Sequence, residues 1–128
     1  MFHYKKLLSF TFLILFINAQ SKVWTPEMSI KIKSISDINF SNNDKIAMVV
    51  REALIDGEKS EYLSQIWVSN FNDSEPKKFT HHEKSSTHPR FSPDGEFLAF
   101  LSSRSKKQQI WVLRTSGGEA WQFTYEKQ

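Results

Sequence analysis

The chain has no cysteine, which excludes disulfide bridges and thiolate metal sites and leaves stability to the core alone. It has no G-x-S-x-G sequence, so a serine nucleophile on a strand-to-helix elbow is excluded. No apolar run approaches the roughly 20 residues that a membrane-spanning helix needs. An excess of one charge is missing as well. Seventeen basic residues stand against 14 acidic ones, and two of the basic residues, Lys5 and Lys6, lie in the first six positions. Removing residues 1–21 lowers the formal charge from +3 to +1. A nearly neutral body has no broad electrostatic footprint for nucleic acid. The short runs Lys77-Lys78 and Lys106-Lys107 read as solvated faces.

What is present is aromatic. Eleven Phe and four Trp help bring the aromatic share to 14%, a bias toward strands. Charged residues at 24% and hydrophobic ones at 39% belong to a globular chain, and 128 residues set a prior of one domain. The N-terminus reads as an address. Met1 to Lys6 carries two lysines, Leu7 to Ile17 is apolar, and Asn18-Ala19-Gln20-Ser21 is small and polar. That is the layout of a cleavable export signal over residues 1–21, with an uncleaved N-terminal anchor as the other reading. The expected location is periplasmic or extracellular.

Behind the signal the sequence repeats. Ile38-Asn39-Phe40-Ser41, Ile46-Ala47-Met48, Gln65-Ile66-Trp67-Val68 and Phe79-Thr80 recur in the same order as Pro89-Arg90-Phe91-Ser92, Leu98-Ala99-Phe100, Gln109-Ile110-Trp111-Val112 and Phe123-Thr124. The offset between copies is 51 at Phe40/Phe91, 52 at Ala47/Ala99 and 44 at Trp67/Trp111 and Phe79/Phe123. The first copy therefore holds eight extra residues within Glu52 to Leu63, expected to form a longer loop around the turn-like Asp56-Gly57-Glu58-Lys59-Ser60.

Each block predicts a short strand. The first strands are 35–40 and 87–91, the second 45–51 and 97–102, the third 65–70 and 109–114, and the fourth 77–80 and 120–124. Ser92-Pro93-Asp94-Gly95 suits a type I turn that ends on a left-handed glycine. Asn42-Asn43 predicts a tight type I′ turn in the first copy. Ser116-Gly117-Gly118 and Asp73-Ser74-Glu75-Pro76 precede the fourth strands. Four antiparallel strands in a unit of about 45 residues is the period of a propeller blade. An immunoglobulin-like sandwich also has many short strands, but it gives no reason for the whole unit to recur. The predicted class is all-β, with two four-stranded antiparallel β-propeller blades, an incomplete propeller, at 35–80 and 87–124. A leader at 22–34 precedes them. In it Thr25 is a helix N-cap, Pro26 the first helical residue, and Met28 and Ile32 share one packing face.

The unit from Pro89-x-Phe91-Ser92-Pro93-Asp94-Gly95 through Ile110-Trp111-Val112 to Phe123-Thr124 resembles two propeller repeats. One belongs to the periplasmic Tol-system protein, the other to serine peptidases of the prolyl oligopeptidase family. The leader Trp24-Thr25-Pro26-Glu27 is similar to the acylaminoacyl-peptidase and dipeptidyl-aminopeptidase branch of that family. The resemblance implies a propeller that precedes an α/β-hydrolase domain and limits access to its Ser-Asp-His triad. Its implied partners are the remainder of its own propeller, that hydrolase domain and a peptide substrate, with no nucleic acid and no membrane after signal cleavage. Two blades alone leave two faces rich in Phe and Trp open. The chain is therefore expected to be part of a longer or truncated protein, or to close by self-association, and to be inactive alone.

Other constellations carry less. His81-His82-Glu83 with His88 reads as a solvated inter-blade loop rather than a metal set, with His88 in a packing or hydrogen-bonding role. Arg51-Glu52 and Arg104 end the second strands as solvent charges, or form a polar rim for substrate. Ser102-Ser103 and Thr115-Ser116 lack a His and Asp in nucleophile arrangement. Trp67 and Trp111 are equivalent, which points to blade packing. Asn39-Phe40-Ser41 and Asn72-Asp73-Ser74 fit a glycosylation pattern relevant only to a eukaryotic secretory pathway. No residue is assigned to catalysis, to a cofactor or to a metal. The chain reads as a non-catalytic propeller fragment of an exported serine peptidase, with a Tol-like protein-binding module as the alternative.

Overall fold

Alternating apolar residues in the repeated blocks need a partner on each side, and the chain supplies it by folding each copy back on itself three times. The computed structural model describes residues 23–56, 59–72 and 75–126. The expected export signal lies outside these residues. The first sheet holds β1 (Ser34–Phe40), β2 (Lys45–Asp56), β3 (Lys59–Asn70) and β4 (Lys77–Lys78), paired antiparallel in that order. The second holds β5 (Ser86–Phe91), β6 (Phe97–Ser105), β7 (Lys107–Arg114) and β8 (Trp121–Gln122), paired the same way. Two meandering four-stranded sheets are the two blades the repeat predicts.

The register decides which face each residue takes. Ala47 opposes Val68 and Val49 opposes Ile66, so these four share a face. Leu98 opposes Leu113 and Phe100 opposes Trp111 on blade 2. The core forms where these faces meet: Ala47, Val49, Ile66, Val68, Leu98, Phe100 and Leu113 are buried together, and Phe79, Phe91, Trp111 and Ala120 pack on them. Small and branched side chains on blade 1 thus receive large ones from blade 2, the interdigitation that gives a dense core.

Four expectations change. The eight extra residues do lengthen the β2–β3 hairpin at 52–63, as expected, but as paired strand rather than loop, with Glu52 opposite Leu63 and Ile55 opposite Ser60. Alternating Ala53, Leu54, Ile55 and Tyr62, Leu63 support strand continuation, while the turn residues 57 and 58 lie outside the described part. The Asn42-Asn43 turn is not type I′. Positive φ occurs at Asp44 (58°) instead, the counterpart of Gly95 (69°), so both copies end the turn on a left-handed fourth residue. The leader helix α1 (Pro26–Ile30) is capped by Thr25, whose hydroxyl accepts from Met28 N at 3.3 Å. It stops short of Ile32 and buries none of its residues; Ile32 is 51% exposed. The packing face expected of Met28 and Ile32 is not formed against these two blades. Finally, β4 and β8 are two residues long. Phe79-Thr80 and Phe123-Thr124 follow them outside the regular ladder, held by bonds described next.

Candidate functional site: the seam between the blades

The repeated Gln-Ile-Trp-Val and Phe-Thr blocks form one clamp in each blade. In blade 1, Ile66 N donates to Thr80 Oγ1 at 2.9 Å, Thr80 Oγ1 donates to Gln65 Oε1, and Phe79 N donates to Ile66 O at 2.8 Å. In blade 2, Ile110 N donates to Thr124 Oγ1 at 2.9 Å, Thr124 Oγ1 to Gln109 Oε1 at 2.6 Å, and Phe123 N to Ile110 O at 2.8 Å. A threonine hydroxyl is both donor and acceptor, so it ties the chain after the fourth strand to the third. The recurrence of Gln and Thr is the sequence signal for this pair; which groups they join follows from the strand register.

Polar bonds then set one blade on the other. Asn42 Nδ2 donates to Pro93 O at 3.1 Å and Asn43 Nδ2 to Asp94 O at 3.3 Å, joining equivalent turns. Phe91 N donates to Asn39 Oδ1 at 3.0 Å, which turns Asn39 into the seam. Arg90 and Asp37 form an ion pair at 2.9 Å, and Lys45 Nζ reaches Thr115 Oγ1 at 2.8 Å. Asp37 (φ 47°) and His88 (φ 54°) are equivalent left-handed residues, each at a register shift in its first strand. Such bulges bend an edge and re-aim its side chains. Neither Asp nor His announces a bulge, so the sequence carries no clear signal for this feature. His88 is exposed and meets Thr87 Oγ1 at 3.1 Å, so it bonds locally rather than packing.

The remaining singled-out residues make local contacts. His81 lies 3.1 Å from Lys78 O, and His82 Nδ1 accepts from Lys84 N at 3.0 Å. Among the described residues no group of three His, Cys, Asp or Glu is arranged to hold a metal. Ser102 donates to Ser85 O at 2.9 Å. Arg51 stacks over Tyr62 at 4.2 Å. Trp111 packs on the core, as the repeat implied.

Glu52 and Arg104 differ from the solvent charges expected at the strand ends. Glu52 bonds Lys33 at 2.9 Å and Lys78 at 3.3 Å. The Lys33 ammonium foremost, and Lys78 with it, hold its carboxyl below the usual range against the opposing effect of burial. Arg104 is half-buried between the rings of Phe100 (5.1 Å) and Trp111 (4.9 Å). Burial lowers the pKa of its guanidinium.

The outer face of blade 2 is the other notable surface. Ala99, Leu101, Ile110 and Val112 are the counterparts of Ala47, Val49, Ile66 and Val68, the face that receives blade 2. Here Ala99, Ile110 and Val112 border an apolar depression of about 500 Å³, walled also by Phe91, Trp121 and Phe123. Phe123 is 66% exposed.

Residues 20–110 match the family described as the acylamino-acid-releasing enzyme, N-terminal domain. The uncharacterized peptidase YuxL of Bacillus subtilis is 36% identical over 104 residues, covering 80% of this chain and 16% of that protein. Two solved structures share the fold with 28–29% identity. An acylaminoacyl peptidase in complex with Z-Gly-Gly-Phe-chloromethyl ketone superposes with a TM-score of 0.62 over 77% of this chain and 15% of that one. The acylaminoacyl peptidase of Pyrococcus horikoshii also gives 0.62, over 81% and 16%. A TolB-like protein of Agrobacterium tumefaciens, 22% identical, shares the fold with a TM-score of 0.57 over 75% of this chain and 32% of its own. The chain thus spans about one sixth of the length of the peptidases it matches.

Proposed function

Because this chain belongs to the family of acylamino-acid-releasing enzyme N-terminal domains, we propose that it is the opening two blades of the propeller of an exported serine peptidase, where it acts as scaffold and substrate gate. The hydrolysis belongs to a separate hydrolase domain. The observation that carries this reading is the repeated face. The apolar surface that blade 1 uses to receive blade 2 recurs, open, on blade 2, and an exposed apolar patch of that kind marks an interaction surface. Its fitting occupant is a further blade presenting large residues, as Phe100 and Trp111 do here. Export rests on the basic start and the apolar run Leu7 to Ile17.

The test joins both halves of the reading. The chain alone is expected to hydrolyse no peptide p-nitroanilide. The whole reading frame containing it is expected to carry further repeats, and its product to react with a serine-directed fluorophosphonate. It should also appear outside the cytoplasm, and lose that placement when residues 1–21 are deleted. A complete frame of repeats with no reactive serine would overturn the peptidase reading in favour of a Tol-like binding module. Cytoplasmic retention of the intact product would overturn export alone.

A further inference from the structure

We propose that the cleft between the two blades is a binding site for a peptide carboxylate, anchored by Arg104. The cleft is open to solvent and has a volume of about 560 Å³, within the range of sites that hold small ligands. Phe79, Thr80, His81 and His82 wall it from blade 1 and the linker, and Arg104 and Trp111 wall it from blade 2. It opens inside the blade pair rather than on either unpaired face.

The argument is a comparison of equivalent positions. Glu52 and Arg104 are 52 residues apart, the same offset as Ala47 and Ala99; Arg104 lies over the Trp111 ring, and Glu52 bonds the lysine that lies over Trp67. In blade 1 the charges are complete: Lys33 lies 5.6 Å over the Trp67 ring and bonds Glu52, which Lys78 also bonds. In blade 2 the cation is there without its anion. Arg104 donates Nε to Ser102 Oγ at 3.3 Å and Nη2 to Ser86 Oγ at 3.1 Å. Among the described residues it has no carboxylate within ion-pair distance. Two hydroxyls engage two of five guanidinium N–H donors. A half-buried cation without a counter-ion is costly to keep, and a carboxylate is the group that suits its planar fork.

The rest of the cleft narrows the ligand class. Among the described residues, Arg104 is the one Arg or Lys on the wall and the exposed Glu119 the one carboxylate. One positive charge opposed by one negative charge disfavours phosphate and polyphosphate. Aromatic walls at Phe79 and Trp111 suit a residue neighbouring the carboxylate in a peptide.

The test uses the full chain with both indole N–H resonances of Trp111 and Trp67 assigned. Three probes are titrated: N-acetyl-Phe-Gly, with a C-terminal carboxylate; N-acetyl-Glu-Phe amide, with a side-chain carboxylate; and N-acetyl-Gln-Phe amide, with none. At least one carboxylate probe is expected to shift the Trp111 resonance saturably, at least fivefold more tightly than the Gln probe, while Trp67 stays in place. Which of the two binds identifies the source of the carboxylate. E119Q should tighten binding and R104Q should weaken it at least fivefold, with R104K between R104Q and the unaltered chain. If R104Q fails to fold, R104K and E119Q decide. Equal response to the Gln probe, parallel movement of Trp67, or unchanged affinity in the Arg104 and Glu119 variants would each sink the proposal.

Discussion

Blades 1 and 2 close with the same Gln-Thr clamp, yet Thr80 is 3% exposed while Thr124 is only half-buried. Phe79 packs on the core, and its counterpart Phe123 is 66% exposed. The bonds within the clamps match closely in length, so the clamp is a local property of the repeated residues. Burial differs because only one of the two clamps has a blade beside it. Local sequence sets the blade, and neighbours set what each blade's residues are worth.

The largest expected effect tests that separation. Thr80→Val removes the partner of Ile66 N and Gln65 Oε1 in the buried clamp. Leaving buried groups unpaired costs about 1–3 kcal/mol each, so Thr80→Val should lower unfolding free energy by about 2–6 kcal/mol. Thr124→Val makes the same chemical change where water can enter, and about 1 kcal/mol is expected there. Urea unfolding measures both. Equal losses would mean that burial by the neighbouring blade contributes nothing to the clamp.

A second contrast lies in the turns. Gly95 has φ 69°, and a Cβ placed on it would stand 1.9 Å from Asn43 Oδ1. Asp44 holds the same position in blade 1 at φ 58° with a side chain in place. Gly95→Ala should therefore cost about 2 kcal/mol, combining left-handed strain with displacement of Asn43. Removing the Asn43 side chain as well (Asn43→Ala with Gly95→Ala) should return part of that loss. A double variant no more stable than Gly95→Ala would assign the whole cost to backbone strain.

The recurrence of Phe-Ser, Gln-Ile-Trp-Val and Phe-Thr made the blades, their strand order and the tryptophan equivalence legible, because strand pairing follows from local pattern and short turns. Three features were not legible. The bulges at Asp37 and His88 use residues that do not mark positive φ as glycine does. The extension of β2 and β3 past Arg51 hid behind a Gly-containing turn, since an insertion within a hairpin and one within a loop leave the same spacing. The environment of Arg104 depends on Phe100 and Trp111 being opposed across β6 and β7. A charge at a strand end looks solvated until the register is known.

The smallest effect concerns the charge exchange between Glu52 and Arg104. Glu52 has a folded pKa below its unfolded value, through Lys33 first and Lys78 second. A depressed carboxyl contributes stability that is present above the unfolded value, near 4.3, and lost as pH falls through the folded value. The unaltered chain should therefore lose stability from pH 6 to pH 3 more steeply than Glu52→Gln does. Asp94, depressed by its Ser92 hydrogen bond, is common to both proteins and cancels in the difference. The cluster is partly exposed, so the gap at pH 6 should be about 0.5 kcal/mol and shrink in high salt. Parallel pH profiles would show that Lys33 and Lys78 give Glu52 nothing it lacks in the unfolded chain, and the contrast with the unpaired Arg104 would then rest on geometry alone.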